Sequence, residues 1–529
     1  MSAIAPSATA WSPFRHKAFA VLWVATLVSH VGTWMHDVGA GWLMTTLAPS
    51  PLMVSLVQAA TTLPVFLFAL PAGALADIID RRRLMLVTQA CMAALAVALG
   101  LAVLAGAITA VGLLLFTFAL GVFAALTAPA WQAIVPRLVP REELPSAIAL
   151  NSVAINLSRA IGPAVGGILI VGAGLAWPFL VNGASYLAVI AAVLWWRAPP
   201  AAAGALPPEG FWSAMRIAVR YARASEPLRA TLVRSIAFFI SASAYWALLP
   251  LIARDRLAGG AELYGVLVAC VGAGAVGGAL FLPRLRARLG PDRLVALGTF
   301  GTAVTMAIFA LAEEQAVAAA ASLLAGASWI AVLSSLNVSA QMSLPDWVRA
   351  RGLAVYNAVF FGAMALGSVL WGQVAALLGI ASALLAAAAC AVLGVLLVRR
   401  AHLHSGGSLN LTASSHWPQP IVGDSIETDR GPVMVTVEYL IEPTRTREFL
   451  AALQDLARAR RRGGAFAWRV VRDAGRPERL LEWFLEDSWL DHLRHHERVT
   501  ETDRAIQQRV QAFHVGPSQP LVTHYVTPK

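Results

Sequence analysis

Two stretches of the sequence match each other at a separation of 205 residues: GALADIIDRRR at residues 73–83 and GALFLPRLRAR at residues 278–288. The same offset aligns Pro140 with Pro345 and Gly162 with Gly367. A single offset that connects separate parts of a chain indicates an internal duplication. The sequence therefore predicts two related halves, at residues 18–198 and 230–398.

Both halves are apolar enough to lie in a membrane. The chain has 529 residues, of which 58% are hydrophobic and 13% are charged, and a transmembrane helix needs roughly 20 apolar residues. We predict an all-α polytopic membrane protein with twelve transmembrane helices in two six-helix halves. The spans lie near residues 18–44, 52–75, 84–105, 110–134, 146–172, 175–196, 230–252, 262–282, 294–312, 316–340, 350–376 and 379–398.

The positive charge of the chain lies in short loops between these spans. The net charge of +11 is therefore a topology signal and not the basic face of a nucleic-acid-binding domain. A cytoplasmic N-terminus (residues 1–17) places 21 Lys and Arg on the inner side and only Arg254 and Arg256 on the outer side. Since cations are retained inside, we expect a multi-pass protein of the inner (plasma) membrane with both termini cytoplasmic. Residues 199–229 are expected to form a cytoplasmic linker.

Two six-helix halves of parallel topology are the architecture of major facilitator transporters. The stretch at residues 73–83 resembles the signature loop of that superfamily, and its Asp80, where many members have Gly, is similar to the enterobactin-exporter and macrolide-efflux branch. The resemblance covers about residues 10–400 and implies transport by alternating access. It also implies a gating loop made of Gly73, Asp77, Asp80, Arg81, Arg82 and Arg83.

The fifth span contains Gly162-Pro163-Ala-Val-Gly166-Gly167, which resembles the helix 5 motif of proton antiporters. Small residues let helices approach closely, and proline removes a backbone hydrogen bond. We therefore expect this helix to pack tightly and to flex where the two halves meet.

Three ionisable residues within spans are candidates for coupling or substrate binding: Asp37, His36 and Arg159. Such groups are costly inside a membrane and count as functional candidates by default. Asp37 could couple transport to protons, or it could be solvated near the outer interface. Arg159 could bind an anionic substrate, or it could form a structural ion pair. Trp34 and other tryptophans suit either interfacial belts or a cavity for a bulky apolar solute.

The character of the chain changes after Arg400. Residues 399–430 are rich in Ser, Gly, Asn and His, which is typical of a flexible linker. Residues 431–527 predict strands at 433–440, 466–472, 479–486 and 521–526, with helices at 444–461 and 488–513. This βαββαβ order predicts a soluble α+β ferredoxin-like domain. It resembles the antibiotic-biosynthesis-monooxygenase-like fold, which implies possible dimerisation through this domain.

That resemblance leaves an enzyme as an alternative, with Trp468, Trp483 and the histidines between His492 and His496 as candidates. His492 and His496 are four residues apart on a helix, a spacing that could bind a metal. No acidic partner or third ligand is apparent, so we expect a solvated helix face, no metal and no cofactor. A regulatory or dimerising domain without chemistry is the favoured interpretation.

The sequence thus predicts a secondary active transporter that exports a small amphipathic compound of the drug or siderophore type by proton antiport. Its partners would be that substrate, protons and the lipid bilayer, and not nucleic acid. No G-x-x-x-x-G-K-[ST] loop is present to bind ATP. The alternatives are a membrane-tethered oxygenase and a membrane sensor or scaffold that does not transport.

Overall fold

The computed structural model describes residues 11–196, 211–404, 410–414, 416–417, Glu427 and 430–528. It forms two compact units. The first unit comprises Met1–Pro207, Leu232–Asn337 and Tyr356–Ala401, and the second comprises Pro208–Thr231, Val338–Val355 and His402–Lys529.

Twelve helices make up the membrane part and its connections. They are α1 (Lys17–Leu47), α2 (Pro51–Ile78), α3 (Arg81–Leu104), α4 (Ala110–Ile134), α5 (Leu144–Ala173), α6 (Trp177–Trp195), α7 (Phe211–Ala224), α8 (Glu226–Leu251), α9 (Ala261–Leu311), α10 (Gln315–Met342), α11 (Arg349–Leu378) and α12 (Ile380–Leu397). Among the described residues, eleven helices, all of these except α7, are long and apolar enough to cross a membrane.

The longest of these helices, α9, supplies two crossings. Its 51 residues would reach about 77 Å at 1.5 Å per residue, more than twice the hydrocarbon thickness of roughly 30 Å. It breaks at Gly290, whose φ of 72° is a left-handed conformation that glycine adopts without strain. The two parts match the spans predicted at 262–282 and 294–312, and the predicted fold class is confirmed.

The internal duplication is visible in the helix boundaries. Helices α4 and α10 begin 205 residues apart, and α5 and α11 both begin and end 205 residues apart. Each of the latter two is followed by a left-handed glycine, Gly174 (φ 107°) and Gly379 (φ 87°). The two halves therefore share turn geometry as well as sequence.

The soluble domain contains β1 (Val433–Leu440), α13 (Thr446–Gly463), β2 (Ala467–Arg472), β3 (Arg479–Glu486), α14 (Trp489–Arg498), α15 (Glu501–Gln511) and β4 (Leu521–Val526). The antiparallel sheet has the order β2-β3-β1-β4, as expected for a ferredoxin-like domain. Its core includes Tyr439, Phe449 and Phe484, which are all fully buried.

One predicted element of this domain is wrong. The single helix expected at 488–513 is two helices, because Thr500 starts α15 with a capping box. Its hydroxyl accepts the Asp503 N–H, and the Asp503 carboxylate accepts the Thr500 N–H. This exchange satisfies backbone donors at the start of a new helix, so the chain changes direction between α14 and α15.

The second unit is larger than the predicted soluble domain, since α7 and the connection between α10 and α11 pack with it. Arg220 of α7 donates to Asp487 (2.7 Å) and to the Gly464 carbonyl (3.0 Å). The Arg498 guanidinium lies 4.6 Å from the Trp347 ring centroid. Residues 199–210 and most of the predicted linker at 399–430 lie outside the described part of the chain.

Candidate transport site and a histidine cluster

Arg159 lies at the middle of α5 and faces an aromatic ring. Its guanidinium is 5.2 Å from the ring centroid of Trp34 on α1, a distance at which cations and aromatic faces attract. Its Nε is buried without a hydrogen-bond partner among the described residues. None of the ion pairs formed by those residues includes Arg159. The structure therefore gives Arg159 a cation–π contact and leaves a buried donor available to a ligand.

Trp34 belongs to an aromatic cluster formed by Trp34, Phe239, Trp246, Trp329 and Phe360. Ring centroids along it are separated by 6.4 Å (Trp34–Trp246), 5.5 Å (Trp246–Trp329), 5.4 Å (Trp329–Phe239) and 4.2 Å (Phe239–Phe360). The indole N–H of Trp329 is buried without a partner in the described structure. The cluster joins α1 of the first half to α8, α10 and α11 of the second, beside Arg159.

Asp37 lies on the same face of α1 as Trp34, because residues three apart on a helix are neighbours. Gly41, one turn further on, is close to the second half: an added Cβ there would lie 2.9 Å from the Tyr264 Oη. Asp37 is partly buried. The face that carries Trp34, Asp37 and Gly41 therefore lies at the boundary between the halves.

His36 is directed elsewhere. It is 4% exposed, and its ring packs edge-on against Phe179 of α6 at 4.8 Å, inside the first half. Both of its ring nitrogens lack hydrogen-bond partners among the described residues. The structure places His36 and Asp37, although adjacent in sequence, in different surroundings.

The glycines of the helix 5 motif lie at helix crossings. A Cβ added at Gly162 would be 2.6 Å from the Trp34 Cβ, and one at Gly166 would be 3.0 Å from the Met35 Cα. A Cβ at Gly167 would be 3.0 Å from the Ala261 carbonyl oxygen of α9. Small residues at these positions let α5 pack closely on α1 and on α9.

The same crossings recur in the second half at an offset of 205 residues. A Cβ at Gly367, the counterpart of Gly162, would meet the Ile240 carbonyl of α8 at 2.5 Å, and one at Gly372, the counterpart of Gly167, would meet the Ser55 Cβ of α2 at 2.6 Å. We call the two matched contacts, α5 with α9 and α11 with α2, the seams. They join the two halves.

The α5–α9 seam is extended by contacts at the end of the bundle that holds the α1 C-terminus. Arg254 donates a short hydrogen bond to the Thr45 carbonyl in the last turn of α1, where the helix dipole favours a cation. Trp42 stacks on Tyr264 with centroids 6.3 Å apart. In this structure the halves are held together at that end.

The residues of the predicted gating loop have local structural roles where they are described. Asp80 is the N-cap of α3 and accepts the Arg83 N–H at 2.9 Å. Arg82 donates to the Val193 and Leu194 carbonyls at the end of α6, at 3.0 and 2.8 Å. The side chains of Gly73 and Asp77 lie outside the described part of the chain, as α2 ends there, and Arg83 is exposed.

In the soluble domain, Trp468 is part of a buried polar network around Glu482. The Glu482 carboxylate, fully buried, accepts from Trp468 Nε1 (2.9 Å), Tyr439 Oη (3.0 Å) and Arg460 Nε (3.4 Å). A buried carboxylate is tolerated only when it is paired and hydrogen-bonded. The network accounts for Trp468 as a structural residue.

A second buried carboxylate, Glu486, organises the histidines of α14. It accepts from His492 Nδ1 at 2.6 Å and from His495 Nδ1. Burial raises the pKa of Glu486, but the charge of His495 and hydrogen bonds from both histidines outweigh it and hold that pKa below the ordinary value of a glutamate. The expectation of a solvated helix face is wrong for His492, which is 1% exposed.

His496 and His524 complete this histidine cluster. His496 Nε2 is 3.2 Å from His492 Nε2, and the His524 ring centroid is 4.7 Å from that of His492. Burial, aided by the charge of His492, lowers the pKa of His496 to about 3 and that of His524 to about 4. Both imidazoles are therefore neutral at neutral pH.

Comparisons with known proteins agree with this architecture. The sequence pattern of the transmembrane secretion effector family matches residues 8–529. The staphyloferrin A transporter of Staphylococcus aureus is 23% identical over 51% of this chain and 68% of its own. The enterobactin exporter EntS of Salmonella typhimurium is 26% identical over 72% of this chain and 92% of its own.

Solved transporter structures share the fold. An inward-facing bacterial homologue of the human lysosomal transporter Spinster aligns with a TM-score of 0.54 and 17% identity, over 74% of this chain and 95% of its own. A POT family transporter in complex with 5-aminolevulinic acid aligns with a TM-score of 0.63 and 12% identity, over 75% and 97% of the two chains.

The fold and the site thus define a multi-pass membrane transporter of the major facilitator type, which handles small molecules and is not an enzyme. Within that class, the chain belongs to the transmembrane secretion effector family.

Proposed function

We propose that this protein is a secondary active exporter of a small, amphipathic, anionic compound of the siderophore type. The observation that carries the proposal is Arg159, a buried cation with no acidic partner among the described residues, placed over Trp34 at the junction of the two halves. A cation in that position is costly, and binding an anion would offset the cost. The aromatic cluster beside it offers an apolar surface to the rest of the compound.

The named relatives support the direction and the class of compound. One is an enterobactin exporter and another is a staphyloferrin A transporter. Transport by alternating access is supported by the paired seams, since related halves that contact through glycines can rock about a shared site. The charge bias of the loops supports an inner-membrane orientation with both termini cytoplasmic.

Proton antiport is the energy source we propose, with Asp37 as the group that binds the proton. Asp37 lies on the α1 face that carries Trp34, so protonation there can influence the same boundary between the halves that Arg159 occupies. Gly73, Asp77, Asp80 and Arg81–Arg83 would form the gate on the cytoplasmic side, with Arg82 anchoring the loop to α6.

Binding of enterobactin and of staphyloferrin A to purified protein, measured by isothermal titration calorimetry, tests the role of Arg159. Arg159→Gln should weaken binding at least tenfold, and Arg159→Lys should weaken it less because the charge remains. The control is Arg293→Gln, which removes an exposed arginine just after the Gly290 break. Equal affinity of the wild type and Arg159→Gln for both compounds, or no affinity of the wild type for either, would count against the proposed site.

A further inference from the structure

The histidine cluster of the soluble domain has the geometry of a metal site. Ions of the zinc class bind histidine nitrogens at about 2.0–2.1 Å in tetrahedral arrangement, so two such nitrogens lie about 3.3 Å apart. The observed distance between His492 Nε2 and His496 Nε2 is 3.2 Å. These residues are one helical turn apart on α14, which places both rings on one face.

The carboxylate of Glu486 fixes the tautomer that metal binding requires. His492 donates its Nδ1–H to Glu486 Oε2 at 2.6 Å, which leaves the lone pair of Nε2 directed at His496. A carboxylate on the remote nitrogen of a metal-binding histidine is the usual second-layer partner, since it orients the ring and raises its basicity. His495 holds the other oxygen of the same carboxylate, so Glu486 is fixed from two sides.

The third nitrogen comes from a different part of the fold. His524 lies on β4, opposite Val435 of β1, and the sheet carries it to α14. One ring nitrogen each from His492, His496 and His524 lie within 4.8 Å of one another. His496 and His524 are partly exposed, so an ion can enter from solvent. Trp489 and Trp417 flank the group, with centroids 5.3 Å from His492 and 4.9 Å from His496.

We propose that His492, His496 and His524 bind one divalent transition-metal ion of the zinc class, with Glu486 as the positioning residue and a water molecule in the fourth position. Three neutral imidazoles suit zinc, cobalt, nickel and copper, whereas calcium and magnesium prefer oxygen ligands. On binding, the ion replaces the proton that His496 Nε2 shares with His492 Nε2. Because the ligands join α14 to β4, the ion ties the last strand to the domain.

Cobalt titration of the full-length protein tests this proposal. The protein carries an affinity tag without histidine, is stripped with a chelator in detergent, and is titrated with Co²⁺ while visible absorption is recorded. The wild type should show one saturable, tetrahedral-type Co²⁺ site per chain that Zn²⁺ displaces and Mg²⁺ does not. His496→Gln and His524→Gln, which alter partly exposed positions, should lose this signal while circular dichroism and gel-filtration elution stay unchanged.

Two further variants separate positioning from general damage. Glu486→Gln should weaken Co²⁺ binding roughly 10- to 100-fold, the usual effect of losing such a partner. His416→Gln removes a histidine of the same domain that hydrogen-bonds to Ser414 and Gln507 instead, and it should bind Co²⁺ as the wild type does. Absence of saturable binding by the wild type, or wild-type affinity in both His496→Gln and His524→Gln, would overturn the proposal.

Discussion

Replacing Gly272 with alanine should open the α5–α9 seam. The added Cβ would lie 2.6 Å from the Arg159 carbonyl oxygen, 2.7 Å from the Ala160 Cα and 2.8 Å from the Ala160 N. All three are backbone atoms of α5, so no side chain can rotate away. Ordinary contact begins near 3.4 Å, and the two helices must therefore separate by about 0.8 Å.

The size of the effect follows from the cost of overpacking, about 1–3 kcal/mol. A cost that falls only on the conformation with this seam closed shifts the balance between conformations by roughly 5- to 150-fold. We therefore expect Gly272→Ala to populate a conformation with the seam open, and to slow transport because the closed conformation becomes rare.

Gly277 provides a matched control on the same helix, since a Cβ there meets nothing within 4 Å. Gly277→Ala should leave the seam unchanged and add up to about 1 kcal/mol of helix propensity. The assay is electron–electron resonance between spin labels at the exposed Val171 and Val266, with Cys91, Cys270 and Cys390 replaced by serine. A Gly272→Ala distance distribution identical to those of the wild type and Gly277→Ala would refute the reasoning.

Three further predictions concern stability. Arg82→Gln removes two hydrogen bonds from α3 to the end of α6 and should cost about 1–2 kcal/mol in denaturant unfolding, whereas Arg83→Gln, at an exposed position, should change stability by less than about 0.5 kcal/mol. Glu482→Gln leaves Arg460 buried without its partner, so hydrogen exchange of β1 and β3 should speed up by an amount equivalent to about 3–5 kcal/mol; unchanged exchange would contradict the buried pair. Asp487→Asn removes the pairs with Arg216 and Arg220. Because these are partly exposed, the cost should stay below about 1 kcal/mol while exchange of α7 increases, and an unaltered α7 would contradict that contact.

The duplication was the most predictable part of the fold, because it is written twice in the chain. The 205-residue offset in the sequence also relates the boundaries of α5 and α11 and the left-handed Gly174 and Gly379. The break between α14 and α15 was predictable too, since Thr500 and Asp503 have the spacing of a capping box, but the apolar periodicity was given more weight.

The sites were less predictable, because they depend on how elements are rotated and paired. A membrane helix is apolar on most faces, so its sequence did not show that Trp246 and Trp329 would face Trp34 or that Gly265 and Gly272 of α9 would lie against α5. Only small residues spaced seven apart hinted at the latter. Glu486 and His524 are far from His492 in relevant register, and only the pairing of β1 with both β3 and β4 brings their strands together.

Export driven by a proton gradient is the central claim, and its most direct measurement is transport in proteoliposomes. Wild type, Asp37→Asn and Gly277→Ala are reconstituted, and movement of enterobactin and staphyloferrin A is followed with and without an imposed pH gradient. We predict transport that the gradient accelerates in the wild type and in Gly277→Ala, and that loses this acceleration in Asp37→Asn. Transport by the wild type that ignores the gradient, or no transport of either compound, would contradict the account.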